Sequence, residues 1–302
     1  MRRRDFITLF GGASALPLAA RAQQGERMRR IGVLSSLAAD DPETQARHAA
    51  FLQGLQEWGW TTGRNVQIDY RWGAGDPDRF RKYALELVAL APDVILATGS
   101  PVTAALLQAT RTVPIVFTQV PDPVANGFVA NLAQPGGNAT GFTVYEYGTS
   151  AKWIELLKEI APRVTRAAVL RDPAIASGIG QLAAIQGVAP TLGMEVRPVG
   201  VRDAGEIERA VTAFAREPNG GLIVLASPLA IVQRDLIITL AARHRLPAVY
   251  SRRFFVTSGG LISYGPDSIE PYRRAAGYVD RILKGEKPAG RPRALAQETD
   301  GR

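Results

Sequence analysis

The 302-residue chain has no cysteine and only two histidines, His48 and His244. The first absence excludes disulfide bonds, thiol catalysis and a cysteine-linked lipid anchor, so the fold must be held by its core alone. Each histidine falls in a helical stretch without a neighbouring ligand at metal-binding spacing, which removes a His/Cys metal site from consideration. No Gly-x-Ser-x-Gly elbow and no Walker-type phosphate loop occurs. Basic residues are scattered and never form a run interleaved with aromatics, so no nucleic-acid partner is expected. Neither a metal nor a cofactor is expected, and the chain does not read as an enzyme.

The sharpest positive signal is at the start. Arg3-Arg4-Asp5-Phe6-Ile7 reads as a twin-arginine export signal, followed by a weakly apolar stretch from Ile7 to Ala19. Ala20-Arg21-Ala22 then supplies the small-x-small pattern of a cleavage site before Gln23. The apolar run is too short to span a bilayer and lacks a stop-transfer flank. Residues 1–22 are therefore expected to be removed, leaving a periplasmic protein with no stable membrane insertion. They hold four Arg and one Asp, so the formal charge of +8 falls to about +5 for the remainder. That mild excess suits anionic solutes or simple solubility.

From Arg30 onward, short β-branched runs alternate with helical patterns. Ile31–Leu34, Val66–Tyr70, Val94–Ala97 and Pro114–Phe117 read as strands, with helices over 43–58, 79–90 and 101–110 between them. The second half repeats the theme with strands at Ala167–Leu170, Glu195–Val199, Leu222–Leu225, Ala248–Tyr250 and Leu261–Tyr264. Its helices are expected at 150–160, 180–192, 204–215, 231–243 and 268–283. Such alternation implies parallel βαβ units with right-handed crossovers. There are too many strands for one small sheet. The expected fold is α/β, two doubly wound parallel-sheet lobes joined by a hinge. The glycine-rich stretch Pro135–Gly141 reads either as a crossing between lobes or as an ordinary surface turn.

Parallel sheets bind ligands beyond the carboxyl ends of their strands. The residues at those ends are Ser35 and Ser36, then Gly99-Ser100-Pro101-Val102-Thr103, then Thr118 and Asp122. In the second half they are Asp172, Ser227 and Ser251-Arg252. Gly99-Ser100-Pro101 fits an anion-receiving helix start, and it equally fits a capped helix with no ligand. Asp122 can receive an ammonium or cap its own short helix. Trp58, Trp60, Tyr70 and Trp72 suit core and edge packing, whereas Tyr145 and Tyr147 are better placed to stack on a solute.

Several segments carry a family resemblance. They are Arg3–Gln24, Tyr70-Arg71-Trp72, Asp122-Pro123-Val124, Pro135–Phe142, Leu246–Tyr250, Gly259–Gly265 and Arg274–Gly285. In this order and spacing they resemble the ABC-transporter substrate-binding family that includes tryptophan- and tyrosine-binding proteins. The resemblance runs from the leader to about Pro288. It implies a type I periplasmic-binding fold, with lobe 1 at 28–143 completed by 265–288 and lobe 2 at 144–264. It further implies a monomer that clamps a small solute, an amino acid or an aromatic one, and delivers it to an ABC permease in the inner membrane. By position, Ser35, Ser36, Ser100 and Thr103 line the first lobe, and Asp122, Thr143 and Tyr145 lie near the crossing. Asp172, Ser227 and Ser251 face them from the second lobe. The resemblance fades at 289–302, a polar, Pro/Arg-rich tail without a strand pattern that reads as a truncated or frameshifted end.

Rival readings are a sensory module that presents its solute to a receptor, and a periplasmic enzyme on the same scaffold.

Overall fold

A computed structural model describes residues 27–144 and 147–288 of the chain. The expected leader, Tyr145 and the polar tail lie outside the described residues. Two five-stranded parallel sheets form the molecule. The first contains β1 (Arg29–Ser35), β2 (Val66–Trp72), β3 (Val94–Thr98), β4 (Ile115–Val120) and β5 (Ala139–Thr143), in the order β2-β1-β3-β4-β5. The second contains β6 (Arg166–Arg171), β7 (Glu195–Gly200), β8 (Gly220–Val224), β9 (Ala248–Tyr250) and β10 (Ile262–Ser263), in the order β10-β9-β8-β6-β7. Each sheet thus has the same internal order, with its first strand between its second and third.

Helices cover both faces. In the first lobe they are α1 (Pro42–Glu57), α2 (Pro77–Ala89) and α3 (Ser100–Ala109). In the second they are α4 (Ala151–Ile160), α5 (Ser177–Val188), α6 (Ala204–Phe214), α7 (Pro228–Val232), α8 (Arg234–Arg243) and α9 (Arg253–Thr257). The final helix, α10 (Glu270–Leu283), returns to the first sheet, where Tyr272, Ala276 and Val279 pack with Phe51 of α1 over Ile31 and Val33. Leu87 of α2 and Leu106 of α3 cover Leu34 and Ile95 on the opposite face. The second sheet is sandwiched in the same way. Ile207 and Ile237 pack over Leu222 and Val224 on one face, and Trp153 and Ile185 over Val169 and Ile223 on the other. Burial on both faces explains why β3, up to its terminal Thr98, and β8 are apolar rather than alternating.

The helix starts follow from capping chemistry. The Asp41 Oδ1 accepts from the amides of Glu43 and Thr44 at the head of α1, with Pro42 next in the chain. Asp76 does the same for α2, and Asp203 for α6. Each such cap contributes about 1 kcal/mol by satisfying an otherwise orphaned N–H.

The elements differ from the sequence reading in three places, and a fourth, left open between a crossing and a turn, is decided. The helix expected over 231–243 is split, α7 ending at Val232 and α8 beginning at Arg234. A five-residue helix, α9, follows β9 and is too short to show a period. The strand expected at Leu261–Tyr264 shrinks to Ile262–Ser263. Pro135–Gly137 is a turn leading into β5, an edge strand of the first sheet, and the chain leaves that sheet only after Val144. Gly141 is required there because a Cβ would stand 2.1 Å from the Phe117 carbonyl oxygen. Opposite it, the β4–β5 register shifts between Phe117 and Val120, and Gln119 takes φ 57°. Such a bulge re-aims a side chain. Among the described residues no helix is long and apolar enough to cross a membrane.

Candidate functional site

A doubly wound sheet has one point where neighbouring strands send their connections to opposite faces, leaving a crevice beyond their carboxyl ends. In the first lobe that point lies between β1 and β3, and in the second between β6 and β8. The two crevices face one another and enclose a cavity with about 520 Å³ of empty space, solvent at its mouth included. Ser36 enters it after β1, Thr98 at the end of β3, and Gly99 and Ser100 just beyond it. Ile175 and Ser177 enter after β6, Ala226 and Ser227 after β8, and Arg252 after β9. Arg47 of α1 and the bulge residue Gln119 complete the polar wall.

Local structure fixes most of these groups. Gly99 takes φ +88° immediately before α3, a conformation other residues adopt only with strain. Gly99, not Ser100, is the N-cap of α3, so the helix begins without a side-chain cap. The Ser100 Oγ is buried, has no hydrogen-bond partner in the protein and belongs to the cavity wall. Ser177 opens α5 in the same state, 1% exposed and with its Oγ unpartnered. Ser227 is already engaged, its Oγ accepting from the Ala230 amide at 3.0 Å. Thr98 accepts from the Tyr272 hydroxyl at 3.0 Å, and Gln119 Nε2 donates to the Ser268 carbonyl at 3.0 Å.

Two guanidinium groups dominate the electrostatics. Arg47 is 3% exposed, its Nε donates to Glu43 Oε1 at 3.1 Å, and its guanidinium carbon sits 5.7 Å from the centre of the Tyr272 ring. Glu43 is held in turn by the Ser268 hydroxyl. Arg252 is 4% exposed and precedes α9. Arg47 and Arg252 therefore approach the cavity from opposite lobes. No Asp or Glu among the described residues forms part of its wall.

Of the residues expected at the site, Ser36, Ser100 and Ser227 line the cavity. Six others lie outside that lining. The Ser35 Oγ accepts from the Leu37 amide, and the Thr103 hydroxyl donates back to the Gly99 carbonyl within α3. The Asp122 carboxylate caps the following turn through the Ala125 amide at 2.9 Å. Asp172 likewise receives the Ala174 amide at 2.9 Å, and burial pushes its carboxyl up against the opposing pull of that amide and of Arg171. Thr143 ends β5, and the Ser251 Oγ is fully buried without a partner. Tyr145 is outside the described residues. Sequence reasoning overlooked Arg47, Gln119 and Ser177 as site residues. Arg47 carried no signal, because a charged residue in an amphipathic helix reads as part of its solvated face. Arg252 is named with Ser251 at its strand end in the sequence reading, but only Ser251 is carried into the expected site, whereas it is Arg252 that lines the cavity. Among the described residues there is no group of three His, Cys, Asp or Glu that could hold a metal ion.

Among the described residues of the wall, no nucleophile is hydrogen-bonded to a base. The wall offers hydrogen-bond donors converging on an enclosed space from two lobes. The tyrosine-binding protein of Clostridioides difficile (strain R20291) is 25% identical over 281 residues, covering 91% of this chain and 78% of that protein. A conserved domain protein from Vibrio cholerae O1 biovar El Tor superposes with a TM-score of 0.80 at 27% identity, covering 87% of each chain. An ABC domain from Streptococcus pneumonia in complex with L-Trp also gives 0.80, at 24% identity over 87% of this chain and 88% of that one. The family model described as ABC transporter substrate binding protein matches residues 31–300, so the chain belongs to the family of ABC transporter substrate-binding proteins.

Proposed function

We propose that this protein is the periplasmic solute-binding component of an ABC importer. The lobes formed by 28–143 with 265–288 and by 144–264 close on a small organic solute, and the closed form delivers it to a permease in the inner membrane. The twin-arginine leader read in residues 1–22 supports export to the periplasm as a soluble protein. The observation that carries the reading is the cavity at the paired switch points, walled by polar groups from both lobes. A ligand bridging such walls interacts more strongly with the closed arrangement than with an open one, and this difference drives closure. Tyrosine and tryptophan relatives make amino acids, aromatic ones included, the first solutes to examine.

The test is a thermal-shift and calorimetric screen of the purified chain against amino acids and small organic acids. A solute present at about 100 times its Kd stabilises the folded state by about 2.7 kcal/mol and raises the melting temperature accordingly. Failure of every small solute to shift the transition would remove the reading.

A further inference from the structure

The first lobe's half of the cavity wall is tied to the segment about which the lobes turn, an inference that rests on the solute-binding reading above. Between β10 and α10 the chain passes from the second lobe back to the first over residues 264–269. Tyr264 still belongs to the second lobe. Its amide donates to the Tyr250 carbonyl at 3.0 Å, and its carbonyl accepts from Trp153 Nε1 at 2.6 Å. From Asp267 onward the chain is held by the first lobe. The Asp267 Oδ1 accepts from the Ile269 and Glu270 amides at 2.6 and 3.4 Å, at the head of the helix that packs beside α1. In this crossing, rotation between the lobes is therefore confined to Gly265-Pro266, and Ser268 stands just beyond that link.

Three wall residues from three different elements are bound to residues 268–272. Gln119 of β4 donates its Nε2 to the Ser268 carbonyl at 3.0 Å. The Ser268 hydroxyl donates to Glu43 Oε1, the same oxygen that accepts the Nε proton of Arg47 at 3.1 Å. Thr98 accepts from the Tyr272 hydroxyl at 3.0 Å, and the Tyr272 ring centre lies 5.7 Å from the Arg47 guanidinium carbon. The Arg47 and Glu43 side chains are 4% and 12% exposed, so their attraction is little screened and a withdrawn hydroxyl is not readily replaced by water. Hydrogen bonds weaken steeply as their angle falls toward 120°. A turn of the crossing must then either break the Ser268 bonds or carry Glu43, Arg47 and Gln119 with it.

We propose that Ser268 is a positioning residue for solute binding, orienting Arg47 through Glu43 with its hydroxyl and Gln119 with its carbonyl. Both contacts belong to the closed setting of the crossing. A solute thus meets a formed wall when the lobes are closed and a relaxed one when they are open. Engagement of Arg47 or Gln119 stabilises closure through Ser268, although the solute never touches the crossing itself.

The test uses the full chain, whose lack of cysteine lets spin labels be placed at Asp40→Cys and Asp235→Cys alone. These are exposed neighbours of the Asp41–Arg234 contact, one on each lobe. Electron paramagnetic resonance of the solute-free protein reads the ratio of short (closed) to long (open) separations. Isothermal titration reads the Kd of L-tyrosine and of L-tryptophan. Ser268→Ala is expected to lower the closed-to-open ratio and to raise the Kd of whichever probe binds, each about tenfold, as the loss of one hydrogen bond to a carboxylate implies. Ser268→Thr keeps the hydroxyl and is expected to restore both. Because the hydroxyl acts through Glu43, Ser268→Ala should add less than about twofold in a Glu43→Ala background. Tyr272→Phe keeps the ring facing Arg47 and is expected to raise the Kd about threefold, which guards against a folding defect in the serine variant. An unchanged ratio in Ser268→Ala overturns the inference, as does an unchanged Kd for a bound probe. So does an effect as large in the Glu43→Ala background as in the wild type. If neither probe nor any other small solute binds the wild type, the solute-binding reading falls, and the closed-to-open ratio alone decides the hinge coupling.

Discussion

The proposed closure requires something that exists only when the lobes meet, and the Asp41–Arg234 pair joins the two lobes. Asp41 heads α1 in the first lobe and Arg234 opens α8 in the second, with Nη1 and Oδ2 2.6 Å apart. The two side chains are only 10% and 17% exposed, so salt screens the pair far less than a surface bridge. Replacing Arg234 with Met removes a charge-assisted hydrogen bond, a loss of about 1.5–3 kcal/mol. The lower part of that range applies, because Asp41 is not stranded. Its Oδ1 still accepts from Glu43 and Thr44 at 3.0 and 3.3 Å. Neither lobe's core contains the pair, so the cost should fall on closure rather than on folding. A loss of about 1.5–2 kcal/mol from the closed state then raises the apparent Kd of a closure-dependent solute about 10–30-fold. Most of the change should appear as faster dissociation. The assay is a double-mutant cycle of Arg234→Met and Asp41→Asn, read by titration of the tightest solute in 0.15 M and 0.5 M NaCl. Asn preserves the cap on α1 while removing the charge. Coupling of at least about 1 kcal/mol that survives the higher salt is expected. Additive effects would refute the reasoning, as would a fall in melting temperature of the solute-free protein large enough to account for the lost affinity.

Three further outcomes follow from the packing. His48 lies 4.8 Å from Tyr70 and 4.5 Å from Trp72, and burial lowers its pKa from 6.5 to about 4. The depressed folded value means that its contribution is intact above pH 6.5 and is lost as pH falls from there toward 4. Allowing for solvent that still reaches the ring, about 1 kcal/mol of stability should disappear between pH 7 and pH 5. Urea titrations at both pH values should show that loss in the wild type and not in His48→Phe. Gly141→Ala places its methyl against the Phe117 carbonyl, and should cost about 3 kcal/mol, lowering the melting temperature by about 6–12 °C. Trp60→Phe removes the Nε1 hydrogen bond of 2.9 Å to Asp280, a residue only 2% exposed that retains Lys284 as its ion-pair partner. About 1–2 kcal/mol should be lost in chemical denaturation, with solute affinity unchanged.

Much of the architecture was legible because a buried parallel sheet writes itself as short apolar runs separated by helical periods. Val94–Ala97 and Leu222–Leu225 could hardly be anything but central strands, whereas the Asp-Pro pairs that open α1 and α2 went unread, and those helices begin at Pro42 and Pro77 rather than at 43 and 79. The short helices α7 and α9 escaped notice because five residues cannot display a period of 3.6. Strand ends are likewise fixed by sequence, and that is enough to propose Ser36, Ser100 and Ser227, all three of which reach the cavity. It is not enough to tell Ser100 from Thr103, or Ser251 from Arg252. Those pairs differ only in the face to which each side chain turns, and the turn is set by helix rotation and by the neighbouring strand.

What the sequence determined by itself was the alternation of elements, the two-lobed α/β class, the exclusion of thiol and disulfide chemistry and the kind of residue available at each strand end. These depend on local period and composition, which the chain carries everywhere along its length. What only the tertiary structure decided was the company each residue keeps. Arg47 and Arg252 are 205 positions apart, and Asp41 and Arg234 are 193 apart, yet folding brings the first two to one cavity wall and the last two into contact. No local propensity encodes that meeting. It arises because two sheets wound in the same order present their switch points to each other, and electrostatic selectivity is a property of the space between them.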